Sequence, residues 1–121
     1  MKLLLLILSV CPLVSFAQDA ANNFCVPVSA TVSESPAAIT LNWTENAATG
    51  TTYNIFRKNV DASGWGSSIG NVAVGTTTYT DNNVSVGDTY EYLVQKVSGG
   101  TLYSWGYINA GIKRDLTFNR G

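Results

Sequence analysis

The sequence has few of the side chains on which most enzymes and nucleic-acid-binding proteins depend. Its 121 residues include no histidine and only two cysteines, and charged side chains make up 12% of the total. Histidine is the commonest general base near neutral pH and a frequent metal ligand, so we expect no bound metal and no cofactor. No basic run extends beyond a pair such as Lys113-Arg114, so the charged surface of a nucleic-acid-binding protein is missing.

The N-terminus has the layout of a secretory signal peptide. A positive start precedes an apolar stretch over residues 3–14, and the small residues Ser15 and Ala17 stand third-last and last before Gln18, as signal peptidase requires. The apolar stretch is too short for a membrane-spanning helix, which needs about 20 residues. We therefore predict a cleaved signal peptide at 1–17, a secreted or cell-surface location, and no membrane attachment after cleavage.

The two cysteines leave one alternative for the N-terminus. Lipidation at Cys11 would replace cleavage after Ala17, but that chemistry requires a small residue before the cysteine, and Val10 stands there. Cleavage after Ala17 leaves Cys25 as the one cysteine of the mature chain, which predicts no intramolecular disulfide. Cys25 is then a small buried hydrophobic residue or a link to another chain, and the sequence leaves its role open.

The rest of the chain predicts strands and turns. Residues 18–23 form a polar leader, and no later window has helical spacing of apolar residues. Short stretches rich in β-branched and aromatic residues alternate with turn clusters of Gly, Pro, Asn, Asp and Ser. The predicted strands lie at 26–32, 39–43, 53–58, 69–74, 78–80, 90–94 and 102–112. About seven such strands predict one all-β antiparallel sandwich over residues 24–113, with a tail at 114–121 that forms a junction if a further domain follows.

Two local patterns are more specific. One is the alternating strand Ile39-Thr40-Leu41-Asn42-Trp43, and the other is Val84-Ser85-Val86-Gly87-Asp88-Thr89-Tyr90-Glu91-Tyr92-Leu93-Val94. Together they resemble the fibronectin type III domain, an immunoglobulin-like β-sandwich common in secreted bacterial proteins. The resemblance implies that Trp43 fills the core and that the Tyr90 hydroxyl returns to upstream backbone at a corner. The positions it assigns to the core and its corner are Trp43, Tyr53, Ile55, Tyr79, Val84, Gly87, Tyr90, Tyr92 and Val94.

Lys96 departs from the family pattern. The alternation through Tyr90, Tyr92 and Val94 points Lys96 inward, where the family usually has a small apolar residue. Because a buried, unpaired ammonium is costly, we expect Lys96 to lie at the end of the sheet with its stem covered and its charged group in water.

The carboxylates do not suggest a catalytic pair. Most of them fall in turns, where Asp and Glu usually cap backbone groups or face solvent, so we expect no enzyme activity in this chain. The run Asp81-Asn82-Asn83 with Asp88 resembles an oxygen-rich calcium site, but it lacks regular ligand spacing, and turn chemistry explains it better. The candidate carboxylates for a catalytic pair are Glu34, Glu45, Asp61, Asp81, Asp88, Glu91 and Asp115.

The aromatic residues are the strongest indication of a binding site. Trp65 lies in a glycine-flanked loop, and Tyr103, Trp105 and Tyr107 alternate along the last strand. We favour an inward, core-forming face for that row. If the face is outward, the row and Trp65 together form a platform for sugar rings or a partner; alternatively, Trp65 folds back over the sheet as a cover.

The function predicted from the sequence is a secreted, non-catalytic interaction or spacer module. The expected partner is a protein or polysaccharide surface, and the chain itself is expected to be a monomer. Two alternatives stay open: a carbohydrate-binding module that uses exposed aromatic residues, and the accessory N-terminus of a secreted peptidase or glycosidase.

Overall fold

The computed structural model describes residues 25–114, which form seven β-strands. The predicted signal peptide at 1–17, the leader at 18–23 and residues 115–121 of the tail lie outside the described residues. The strands are β1 (Val28–Glu34), β2 (Ala37–Trp43), β3 (Thr52–Asn59), β4 (Gly70–Ala73), β5 (Thr78–Asp81), β6 (Thr89–Ser98) and β7 (Thr101–Gly111). Each corresponds to a stretch that the alternation of the sequence predicts.

The strands form two antiparallel sheets. One has the order β1-β2-β5 and the other the order β4-β3-β6-β7. They pack face to face as a β-sandwich, so the predicted fold class is confirmed. Within residues 25–114, no helix is long and apolar enough to cross a membrane.

The core lies between the two sheets because alternate residues of each strand point inward. On β2, Ile39 and Leu41 are completely buried, whereas Asn42 between Leu41 and Trp43 is exposed. Buried apolar side chains of this kind each stabilise the fold by roughly 1.5–3 kcal/mol. The core cluster consists of Val26, Val28, Ala30, Val32, Ile39, Leu41, Trp43, Tyr53, Ile55, Val84, Tyr90, Tyr92, Val94, Ile108, Ala110 and Ile112.

The chain crosses between the sheets near residue 27. Cys25 pairs with Trp105 of β7 as a parallel bridge, and the Val26 amide donates to the Trp105 carbonyl oxygen at 3.0 Å. After Pro27, which has no amide hydrogen to donate, the chain continues as β1 in the other sheet. Residues 25–26 therefore cover part of the β7 edge and tie the two sheets together.

Candidate functional site

Tyr103, Trp105 and Tyr107 lie on the outer face of the four-stranded sheet. They are half-buried and alternate with Ser104, Gly106 and Ile108, which are buried on the inner face. Our preference for an inward aromatic row is therefore wrong, and the outward alternative describes the structure. The reason is Gly106, because a Cβ at this position would overlap the Val26 carbonyl oxygen; the inner face of β7 has room only for small residues where residues 25–26 cross it.

Trp65 folds back onto this outer face. Its ring is stacked on that of Tyr107, with 6.1 Å between centroids and 29° between planes. Lys58 Nζ lies 5.3 Å from the centroid of the Trp65 ring, donates to the Ala62 carbonyl oxygen at 3.0 Å and pairs with Glu91 at 3.2 Å. These contacts hold the β3–β4 loop against the sheet, so the geometry of Trp65 is that of a cover.

Leu93 is a buried apolar residue on the outer face of the same sheet. It points outward between Phe56 of β3 and Tyr107 of β7 in the strand register, yet it is only 5% exposed and lies outside the inner core cluster. Phe56, Leu93 and Tyr107 are neighbours in the strand register, and Trp65 is stacked on Tyr107. We call these four residues the outer cluster.

Tyr103 and Trp105 lie beyond the outer cluster along β7. The register places Gln95 of β6 beside Trp105, Asn54 of β3 beside Gln95, and Asn71 of β4 beside Asn54. Residues directly opposite in an antiparallel pair share a face, so these four side chains form one row across the outer face. We call this row, from Asn71 to Trp105, the amide row.

The Asp81 carboxylate and the Tyr92 hydroxyl are buried at one end of the inner core. Asp81 is 4% exposed and accepts hydrogen bonds from Arg57 at 2.9 Å and from the Tyr92 hydroxyl at 2.8 Å. Burial raises the pKa of Tyr92, and the hydrogen bond to Asp81 raises it further, so the phenol stays protonated. Asp81 also accepts the Asn83 amide at 3.0 Å, which is the turn chemistry predicted for this run.

Lys96 is buried at the other end, with 2% of its side chain exposed. Its Nζ pairs with Glu45 at 2.7 Å and donates to the Asn46 carbonyl oxygen at 3.0 Å. The expectation of a hydrated charged group is therefore wrong, because the β2–β3 loop folds over the end of the sheet and supplies acceptors. Burial acts to raise the pKa of Glu45, but the hydrogen bonds that its carboxylate accepts, first among them the one from Lys96, and the nearby ammonium charge together outweigh burial and hold that pKa below its usual value.

Asn46 is the residue that sequence reasoning missed. Its amide nitrogen donates to the Cys25 carbonyl oxygen at 2.8 Å and to Ser104 at 3.1 Å, while its Oδ1 accepts from Lys96. The sequence did contain one indication of such a residue. Lys96 is in phase with buried neighbours, and a buried charged group requires a buried acceptor. Cys25 itself is disulfide-bonded in the structure. The expectation of a single cysteine without an intramolecular disulfide concerns the chain after cleavage at Ala17, and it stays a prediction.

The predicted corner has the expected geometry. The Ser85 amide donates to the Tyr90 hydroxyl oxygen at 2.9 Å. Gly87 is exposed in the preceding turn with a φ of 96°, a conformation that L side chains rarely adopt. Tyr79 is half-buried against the core and donates its hydroxyl to the Ile69 carbonyl oxygen at 3.0 Å. The remaining positions assigned from the family resemblance, Trp43, Tyr53, Ile55, Val84, Tyr92 and Val94, are all buried.

Several carboxylates are committed to ion pairs. Glu45 pairs with Lys96, Asp81 with Arg57, and Glu91 with Lys58, while Asp115 lies outside the described residues. Over residues 25–114, no group of three or more His, Cys, Asp or Glu side chains is arranged to hold a metal ion.

Comparisons with known proteins do not identify the chain. No model of a protein family matches it, and no curated protein matches it. The functional conclusion therefore depends on the geometry of its own residues.

Proposed function

We propose that the chain is a secreted, non-catalytic interaction module that contacts its partner through the outer face of the four-stranded sheet. The observation that carries this proposal is the placement of Tyr103 and Trp105, two half-buried aromatic residues on that face beside the outer cluster. Large aromatic side chains are enriched where proteins contact other molecules. The outer face of the other sheet contrasts with it, because Ser29, Thr31 and Asn42 there are exposed and polar.

Three features support a fibronectin type III-like module. Seven strands lie in two packed antiparallel sheets, as in immunoglobulin-like domains. Trp43 closes β2 and packs against Tyr53, with 5.2 Å between ring centroids. The Tyr90 hydroxyl is bonded to backbone five residues upstream.

The ion pairs that the carboxylates form support a non-catalytic role. General acid–base and glycosidase chemistry needs a pair of carboxyl groups facing substrate. Asp81 and Glu45 instead neutralise the Arg57 and Lys96 side chains, and Glu91 pairs with a lysine that holds the β3–β4 loop.

Attachment to extracellular material tests the proposal. The secreted product is mixed with intact cells of the producing organism and sedimented, alongside the variants Trp105→Ala and Asn42→Ala. Asn42 is an exposed residue on the outer face of the opposite sheet, so it serves as the matched control. We expect the unchanged chain and Asn42→Ala to sediment with the cells and Trp105→Ala to stay in solution. Hydrolase activity in the purified product, or equal sedimentation of all three proteins, would contradict the proposal.

A further inference from the structure

The amide row combines one kind of hydrogen-bonding group with one aromatic ring. Asn71, Asn54 and Gln95 each present a primary amide, and Trp105 stands at the β7 end of the row. Neighbouring strands lie about 4.8 Å apart, so the row extends roughly 14 Å across the sheet. That length suits an extended ligand lying across the strands better than a small molecule in a pocket.

The amides of the row are uncommitted. Within residues 25–114, none of Asn71, Asn54 and Gln95 makes a side-chain hydrogen bond, whereas Asn46 uses its amide fully. Asn54 and Gln95 are nevertheless half-buried between neighbouring side chains, which restricts the rotamers they can adopt. Each such amide offers two donors and two acceptor lone pairs in a plane.

Among the residues that the structure describes, those next to the row are uncharged. The neighbouring outward positions on one side are Ala73, Thr52 and Val97, and those on the other side are Phe56, Leu93 and Tyr107. The nearest charged pair on this face, Lys58 with Glu91, lies beyond the outer cluster and is mutually neutralised at 3.2 Å. An anionic ligand would therefore find no unpaired cation in the row.

We infer that the amide row is a binding site for a neutral polysaccharide chain, with a sugar ring on Trp105 and sugar hydroxyls bonded to Gln95, Asn54 and Asn71. Hydroxyl groups donate and accept at once, as the amides do, and the apolar face of a sugar ring packs on an aromatic plane. A protein partner would need a more apolar centre than three adjacent amides provide. This inference rests on the proposed function and names the ligand class of the same face.

Chemical treatment of the cell surface distinguishes a glycan from a protein partner. Periodate cleaves the vicinal diols of sugars, and protease digestion removes exposed proteins. We expect sedimentation of the secreted product with cells to be lost after periodate and kept after protease. Binding that is lost after protease and kept after periodate would overturn the glycan inference, while the proposed interaction function would stand. No sedimentation with untreated cells would overturn both.

Affinity electrophoresis then tests the row directly. The product is run through gels containing mixed-linkage β-glucan, galactomannan or amylose, and through gels containing polygalacturonate or alginate as acidic controls. We expect retardation by a neutral polysaccharide, weakened about tenfold by Trp105→Ala. Gln95→Ala and Asn54→Ala should each weaken it about three- to tenfold, and Asn42→Ala should leave it unchanged.

The variants also separate binding from folding. Gln95 and Asn54 make no side-chain hydrogen bonds in the described part of the chain, so their alanine variants should keep the thermal unfolding midpoint of the unchanged chain even if Trp105→Ala shifts it. Retardation that is equal in Gln95→Ala, Asn54→Ala and Asn42→Ala would overturn the inference. So would retardation by the acidic polysaccharides alone, or by none of the five.

Discussion

Lys96 and Glu45 form an asymmetric pair at the end of the core. The lysine side chain is 2% exposed and the glutamate side chain 36% exposed. Removing the carboxylate leaves a buried ammonium with only neutral acceptors, whereas removing the ammonium leaves a carboxylate that water still reaches. Gly50 packs against the stem of Lys96, where a Cβ would come within 2.6 Å of the lysine Cγ, so the lysine has little freedom to withdraw toward solvent.

This asymmetry predicts unequal effects for two substitutions. Glu45→Gln should lower the free energy of unfolding by about 1–2 kcal/mol, less than the 3–5 kcal/mol of a fully buried pair because Glu45 is partly hydrated. Lys96→Met, which replaces the buried cation with an apolar side chain of similar length, should cost less than Glu45→Gln. Urea denaturation at pH 7 measures both, and a larger loss for Lys96→Met would contradict this account.

The same pair predicts a pH dependence. The pKa of Glu45 is lower in the folded chain than its usual value, so the stability it contributes is fully present above the unfolded pKa, about 4.3. It is lost as the pH falls through the lower, folded pKa. The unchanged chain should therefore lose its stability advantage over Glu45→Gln as the pH falls below about 4.3. Denaturation series at pH 7 and below pH 4 test this, and a constant difference between the two proteins would contradict it.

At the scale of the element, β7 separates its two faces by side-chain size. Its inner positions next to the crossing chain are Ser104 and Gly106, and its outer positions are Tyr103, Trp105 and Tyr107. Aromatic residues alternating along a strand have the same pattern whether they point to the core or to solvent. The deciding residue is Gly106, because only the tertiary structure shows that Val26 lies against it.

Gly106→Ala should displace residues 25–26 from β7. Overpacking of this kind typically costs about 1–3 kcal/mol, and the Val26 amide should exchange its hydrogen faster because its bond to the Trp105 carbonyl oxygen weakens. Gly64→Ala is the matched control, since a Cβ there meets nothing within 4 Å. Chemical denaturation and amide exchange measure the two effects. Equal stability of the two variants would show that the close approach at Gly106 is unimportant.

The β3–β4 loop is the second element whose role depends on packing. Trp65→Ala should remove the cover of the outer cluster and lower the free energy of unfolding by about 1–2 kcal/mol, a part of the 3–5 kcal/mol for a fully buried aromatic residue. Ser63→Ala, at an exposed position of the same loop, should have no measurable effect. If Trp65→Ala abolished polysaccharide retardation while leaving stability unchanged, Trp65 would be a ligand platform and not a cover.

At the scale of the whole molecule, the prediction of export depends on the N-terminal sequence and not on the fold. The secreted product should begin at Gln18, because Ser15 and Ala17 satisfy signal peptidase. Ala17→Phe should block cleavage, and Ala20→Phe in the leader should leave it intact. Intact-mass measurement and N-terminal sequencing of the product decide this. A product lipidated on Cys11, or one that keeps Met1 in the unchanged chain, would contradict the prediction.

The sequence by itself determined the strands, the fold class and the main core positions. Strand alternation has a period of two, so Ile39, Leu41 and Trp43 specify their shared face without knowledge of any partner strand. The tertiary structure alone decided where the charged group of Lys96 lies, the outward direction of the aromatic row and the composition of the amide row. Each of these depends on residues distant in sequence: Glu45 and Asn46 meet Lys96 through a loop, Val26 meets Gly106 at a sheet crossing, and Asn71, Asn54, Gln95 and Trp105 come from four different strands. Register between strands is set by packing across the whole sheet, so it cannot be predicted from the sequence of any one strand.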